Sequence, residues 1–333
     1  MTRTLVSNLN KINQHKMVKY SFVLPAYKAH FFKEAIDSIL TQTYKSFELI
    51  IVNDASPDDL DSIVGQYDDP RIRYYVNVKN IGGKDLVAQW NHCLEYAFGD
   101  YVILASDDDV YHPEYLEKMD KLVCKYPDVN VFRPRVQVIN RDGSLLYTYS
   151  DAKELLNEVE YMYYWMLGRI GSGIPYFILK KTALLQYGGF INFPLAWGSD
   201  DATVIDLAKN CVAFHSDVLF SFRMSGNNIS SLRNNKQQLR SKLKAYFYFE
   251  KWLNCKVEEL GHIYQNDKSN FICGHYICFM RSLVTNLITM SSASAIISNL
   301  GYICSLKSVN IIWASFHIIY ILCKRIYTLL KIK

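Results

Sequence analysis

Four short apolar runs, the first three each followed by a stretch of helical periodicity, limit what the first half of this chain can fold into. Tyr20-Ser21-Phe22-Val23-Leu24 is the first run and reads as a strand stopped by Pro25. Phe31, Phe32, Ala35, Ile36, Ile39 and Leu40 then recur at steps of three and four, which is one apolar face of a helix. Phe47-Glu48-Leu49-Ile50-Ile51-Val52 is almost continuously apolar, as expected of a strand buried on both faces. The polar turn Asn53-Asp54-Ala55-Ser56-Pro57-Asp58 leads into a helix over 60–67, and Ile72-Arg73-Tyr74-Tyr75 reads as a third strand. After a loop at 77–83, Leu86, Val87, Trp90, Leu94 and Phe98 mark another helix, and Tyr101-Val102-Ile103-Leu104-Ala105 is the fourth strand. This rhythm predicts parallel β-α-β units, a nucleotide-binding α/β half.

The fourth strand ends in Asp107-Asp108-Asp109. Three adjacent carboxylates repel unless a positive charge sits among them, and the carboxyl ends of strands are where open α/β sheets bind ligands. A hard divalent cation bridging to a diphosphate is one reading, because Mg²⁺ and Mn²⁺ take oxygen ligands. A solvated turn capping the next helix is the other. No glycine-rich dinucleotide fingerprint follows the first strand and no phosphate loop is present, Gly82-Gly83-Lys84 being too short for either. That argues against a nicotinamide enzyme or an ATPase.

Downstream, His112-Pro113-Glu114 opens a helix, 129–133 and 136–139 read as separate strands, and Arg141-Asp142-Gly143-Ser144 is a hairpin turn. These short antiparallel strands predict a second subregion for another substrate. Residues 155–167 read as an aromatic helix. Trp197-Gly198-Ser199-Asp200-Asp201 begins a further helix, with Ser199 suited to capping it. Two acids in a first helical turn are favoured by the orphan N–H groups, and equally suit a general base facing a cleft.

With 333 residues, 50% apolar and 21% charged, the chain can bury one large core plus an appendage, or two cores. Its net charge of +5 is unevenly placed: 271–333 contains no Asp or Glu but carries Arg281, Lys307, Lys324, Arg325, Lys331 and Lys333. Residues 236–256 form an amphipathic helical pattern with a basic side. Residues 309–323 are uncharged and are followed by Lys324-Arg325. That stretch falls short of the roughly 20 residues of a spanning helix, so it reads as an interfacial helix on an anionic membrane surface. The basic groups are too sparse for a phosphate-tracking stripe, so no nucleic-acid partner is expected. Eight scattered cysteines without a CxxC pair read as reduced core or membrane-facing thiols. The Asn-rich stretch 1–16 lacks an apolar leader, which predicts a cytoplasmic globular part, peripheral on the inner face of the cell membrane if the tail docks there.

These motifs, in this order, resemble the inverting glycosyltransferase family 2 of bacterial surface-polysaccharide type, over roughly residues 20–231. Ser21-Phe22-Val23-Leu24-Pro25-Ala26-Tyr27-Lys28 resembles the opening strand and proline turn beside the nucleotide base. Glu48-Leu49-Ile50-Ile51-Val52-Asn53-Asp54 resembles the strand whose last aspartate recognises the base, and Asn80-Ile81-Gly82-Gly83 the loop lining the nucleotide pocket, beside Lys84. Ser106-Asp107-Asp108-Asp109 with Pro113 resembles the acidic metal motif, and Tyr187-Gly188-Gly189-Phe190 with Trp197 to Asp201 the acceptor segment that ends in the catalytic acids. The resemblance implies a GT-A fold, a mixed central sheet flanked by helices, over 18–231, with a helical region over 232–333.

It implies further that Asp201, with Asp200, supplies the base, that Asp109 contacts Mn²⁺ or Mg²⁺, and that Asp107 contacts the ribose or the metal. Pro25, Tyr27, Asp54, Asn80, Gly82, Lys84, Asp107, Asp108 and Arg223 are then expected around the nucleotide-diphospho-sugar, UDP-linked by expectation, with a saccharide or lipid-linked acceptor. Ser106 stands where many members have an aspartate, and Ser225 where many have a histidine near the diphosphate. A metal-dependent nucleotidyltransferase and a non-catalytic membrane-associated scaffold are the competing readings. The first would release pyrophosphate, and the second would be indifferent to nucleotide-sugar.

Overall fold

A computed structural model describes residues 18–226, 235–309, 312–315 and 318–321. The chain divides into two compact units. The first comprises the described residues up to Ile191 with Thr203–Ser225, and the second Asn192–Ala202 with the described residues from Gly226 onward.

The first unit is α/β. In chain order it contains β1 (Tyr20–Ala26), α1 (Phe32–Leu40), β2 (Phe47–Asn53), α2 (Leu60–Val64), β3 (Ile72–Val76), α3 (Leu86–Leu94), β4 (Tyr101–Leu104) and β5 (Val110–Tyr111). Then follow α4 (Tyr115–Lys125), β6 (Val131–Ile139), β7 (Leu145–Thr148), β8 (Leu155–Leu156), α5 (Glu158–Met166), β9 (Ile178–Lys180) and α6 (Lys181–Gln186). Helix α7 (Ser199–Leu207) and β10 (Val212–Arg223) complete it, α7 starting in the second unit. One mixed sheet runs β3-β2-β1-β4-β9-β6-β10-β5, with β7 beside β6 and β8 beside β10. β3, β2, β1 and β4 are parallel, β9 runs against β4 and β6, and β6 and β10 are parallel. The antiparallel strands therefore extend the same sheet instead of forming one of their own. Every residue of β2 is buried, as a parallel strand covered on both faces requires.

Pro25, read as a strand end, lies inside β1, and Pro134 lies inside β6. The Val23 carbonyl accepts the Ala105 N–H, so by the period of two Pro25 faces the β4 side, where pairing has already ended at Val23–Leu104. Its missing N–H costs nothing there, and β1 continues to Ala26 on β2 alone. Pro134 joins the two expected strands into β6 because β10 shifts register opposite it, between His215 and Val218. The expected helix over 155–167 begins later: Leu155–Leu156 pairs with β10, and Asn157 with Glu160 forms a capping box that starts α5.

The second unit is helical: α8 (Lys236–Ile263), α9 (Asp267–Thr289), α10 (Ala293–Ser298) and α11 (Leu300–Ser305). Leu239, Leu243, Tyr246, Glu250, Leu253, Val257 and Leu260 form the buried seam of α8, spaced alternately by three and four residues. Glu250 sits in that seam because its carboxylate accepts the Lys307 and Ser308 N–H groups, at 2.7 and 2.6 Å. Phe247, within that amphipathic stretch, is exposed. Among the described residues α9 is the one helix long and apolar enough to cross a membrane, by length and composition. The expected interfacial helix at 309–323 lies partly outside the described residues, as do its basic flank, the residues 1–16 and the 231/232 boundary. Of the seven described cysteines, all free thiols, Cys93 is buried and Cys124, Cys255, Cys273 and Cys278 are exposed.

Candidate active site

The carboxyl ends of β1, β2, β4, β6 and β10 lie along one edge of the sheet, and the acidic turn after β4 is fastened to its neighbours there. Asp107 Oδ2 accepts the backbone N–H groups of Tyr27 (3.1 Å) and Lys28 (2.8 Å), just past β1. Asp109 Oδ1 accepts the Arg223 N–H at 2.8 Å, and Oδ2 accepts the Ser106 hydroxyl. Asp108 Oδ2 accepts the Ser225 hydroxyl at 3.1 Å. The two serines that depart from the family pattern therefore both bond directly to this turn.

The Arg223 side chain braces the turn through its backbone and pairs its charge with Glu34. Its buried guanidinium lies over the Phe31 ring, 4.4 Å from the ring centre. Nε donates to the Asp108 carbonyl at 2.9 Å, Nη1 to the Arg141 carbonyl at 3.2 Å, and Nη2 to Glu34 at 2.6 Å. Burial nevertheless dominates the turn's electrostatics. It raises the Asp107 carboxyl against the pull of the Lys28 and Tyr27 N–H groups. It pushes Asp109 up to about 8, with the Asp108 charge adding to the shift.

Beside this turn, Asp54 follows β2. Its carboxylate accepts the Ile81 and Gly82 N–H groups, at 2.8 and 2.7 Å, and the Asn77 amide at 2.7 Å. Asn80 donates to the Asp54 carbonyl at 3.1 Å and accepts the Gly83 N–H. Asp54 thus pins the 80–83 loop. A Cβ at Gly82 would lie 3.0 Å from Asp54 Oδ2, so glycine lets the loop come this close. Lys84 and Tyr27 are exposed.

Asp200 and Asp201 belong to the second unit. The loop before them is strained, with Leu195 and Ala196 at φ 59° and 56° and Gly198 at 81°. Packing on α8 holds it: Phe193 and Trp197 meet Phe249 and Tyr246 edge-on, and a Cβ at Gly198 would lie 3.0 Å from the Phe249 ring. Ser199 accepts the Phe193 N–H at 3.0 Å, and Asp200 accepts the Asp201 N–H at 3.0 Å. Burial raises the Asp200 carboxyl, against the bonds from that turn.

Lys242 lies 4.0 Å from the centre of the Trp197 ring, and burial holds its ammonium down to about 8. A lysine depressed in the folded state contributes stability above its unfolded value of 10.5 and loses it as pH falls through about 8. Lys242→Met should therefore gain most in melting midpoint over the parent at pH 7, with the advantage shrinking between pH 8 and 10.5. A difference that stays constant across that range would contradict a depressed Lys242.

The structure brings Tyr27, Asp107, Asp108, Asp109 and Arg223 into one cluster, and Asp54, Asn80 and Gly82 into a second at the same sheet edge. Pro25 shapes the strand that leads there. Glu34, Phe31 and Arg141 also belong to the first cluster. Glu34 is the acid in the first turn of α1, beside Lys33, and that was its one sequence signal.

A hard divalent cation takes one or two carboxylates and completes its shell with substrate phosphate and water. Asp107 and Asp108 suit that chemistry. Asp109, expected to contact the cation, is 1% exposed with each oxygen engaged by a protein donor, which is the geometry of an internal anchor. No group of three metal-ligating side chains occurs among the described residues, so a cation here would depend on oxygens from the donor.

Residues 21–184 match the model of the family described as Glycosyl transferase family 2. The chain is similar to the uncharacterized glycosyltransferase RT0329 of Rickettsia typhi, 30% identical over 173 residues, which are 50% of this chain and 53% of that protein. It is also similar to the putative glycosyltransferase EpsE of Bacillus subtilis, 38% identical over 113 residues, 33% of this chain and 40% of that one. The chain thus spans about half the length of these curated relatives, or less. Among solved structures, S. aureus TarS 1-349 in complex with UDP-GlcNAc aligns with a TM-score of 0.61 at 15% identity, over 87% of this chain and 82% of that one. At that identity the likeness is one of fold, the GT-A arrangement of a mixed sheet between helices. Through residues 21–184, the chain belongs to glycosyl transferase family 2.

Proposed function

We propose that this chain transfers a sugar from a nucleotide-diphospho-sugar, UDP-linked, to a hydroxyl of a saccharide or lipid-linked acceptor in bacterial surface-polysaccharide assembly, with inversion at the anomeric carbon. The observation that carries the proposal is the fastening of the acidic turn to the backbone just past β1, beside the loop pinned by Asp54. The solved TarS complex with UDP-GlcNAc, similar in fold, supports the choice of donor.

Tyr27, Asp54, Asn80, Gly82 and Lys84 form the nucleoside side of this reading. Asp107 and Asp108 are the residues that would hold a Mn²⁺ or Mg²⁺ ion, while Asp109 and Arg223 hold the turn from within. The ion, when bound, offsets charge developing on the departing diphosphate. The acceptor oxygen bonds to the anomeric carbon as that carbon's bond to the diphosphate oxygen breaks. The electron pair leaves with the nucleoside diphosphate, and the acceptor proton passes to Asp201, with Asp200 bracing the turn.

A donor screen with and without Mn²⁺ tests the reading through nucleoside diphosphate release and melting. The correct donor with Mn²⁺, at a hundred times its dissociation constant, should stabilise the fold by about 2.7 kcal/mol. Asp108→Asn should abolish the part of that gain that requires Mn²⁺. Pyrophosphate release from a nucleoside triphosphate, or no response to any nucleotide-sugar, would refute it.

A further inference from the structure

In the second unit, an open cavity of about 770 Å³ lies between α8 and α11. Arg240, Ser241, Lys244 and Tyr248 reach it from successive turns of α8, and Tyr302 from α11. Arg240 donates to the Tyr302 hydroxyl at 2.6 Å and lies 4.6 Å from that ring's centre. Neither Arg240 nor Lys244 pairs with a carboxylate among the described residues. The wall-forming segments cannot supply one, because 226–249 and 268–333 contain no Asp or Glu. Phe247, Tyr248 and Tyr302 are exposed along the same cavity, by 44%, 42% and 39%.

Two cations set among hydroxyls, with no carboxylate on the surrounding segments, suit an anion. Large exposed aromatic rings at the rim suit a membrane–water interface, where one end of the ring is wet and the other apolar. We propose that this cavity receives the phosphate headgroup of an anionic lipid and seats the second unit on the membrane surface. A free phosphate ion would satisfy the cations but leave the rings in water. The site is independent of the transferase reading, because lipid binding needs no donor.

The full chain is sedimented with vesicles of phosphatidylcholine alone, or of phosphatidylcholine with phosphatidylglycerol. Binding is expected only with the anionic vesicles. Each cation near such a surface strengthens partitioning about five-fold, so Arg240→Gln with Lys244→Gln should weaken it about thirty-fold. Lys244→Gln alone, at an exposed side chain, should cost about five-fold with an unchanged melting midpoint. Lys33→Gln with Lys121→Gln removes the same net charge from the first unit and should change binding less than about two-fold.

Equal binding to neutral vesicles, equal loss in the Lys33 and Lys121 control, or no sedimentation at all would overturn the proposal. So would an Arg240- and Lys244-dependent melting shift with inorganic phosphate and none with vesicles, which would assign the cavity to a free anion.

Discussion

Arg223→Met is expected to lower the melting midpoint by roughly 6–12 °C, about 3 kcal/mol for a unit of this size. The guanidinium satisfies the Asp108 and Arg141 carbonyls from a buried position, and methionine leaves both without that donor. Each such loss costs about 1–3 kcal/mol. The Glu34 pair adds little, because that carboxylate is 52% exposed and water screens it. Arg223→Lys should recover less than half of the loss, since one ammonium cannot span three acceptors. The Arg223 N–H to Asp109 survives both substitutions, so donor affinity should fall through loosening of the turn. A midpoint within 2 °C of the parent would mean that the turn is held by its backbone bonds alone.

Asp201→Asn should reduce transfer by roughly 10²–10⁴-fold, the range for loss of a positioned general base, with the Michaelis constant for donor unchanged. Asparagine keeps the size of the side chain but cannot take up the acceptor proton. Asp200→Asn should cost less than about ten-fold, because an amide oxygen can still accept the Asp201 N–H. Stabilisation of the fold by bound donor provides a second readout, since binding, unlike transfer or hydrolysis, moves no proton to a base. Full transfer by Asp201→Asn with intact donor binding would remove Asp201 from the base role.

Local periodicity carried much of the fold. The buried runs of β1, β2 and β4 and the apolar face of α1 are written in neighbouring residues, so they could be read one segment at a time. Pro25 misled for a physical reason: whether a missing N–H interrupts a strand depends on what lies beside it, and that neighbour is remote in sequence. The candidate site shows the same boundary. Three adjacent aspartates announce a charged site, but their separate roles depend on partners 79 to 117 residues away. Asp109 looked as available as Asp107 until the β10 end closed over it. The seating of Asp200 and Asp201 was equally hidden, because the rings that fix their loop come from α8.

The bond between Asp109 and the Arg223 backbone spans 114 residues of chain. Loop closure over that distance comes late, after the local β-α-β pairs have formed. During synthesis, the first four strands emerge with Asp107 able to meet the Tyr27 and Lys28 N–H groups, but before the Arg223 N–H that bonds Asp109 exists. The acidic turn therefore reaches its described geometry only with the last strand of the unit, which supplies the Arg223 N–H and is followed by Ser225. A chain cut anywhere between β4 and β10 would keep the motif and lose the site, which gives the unit an internal check on its own completeness.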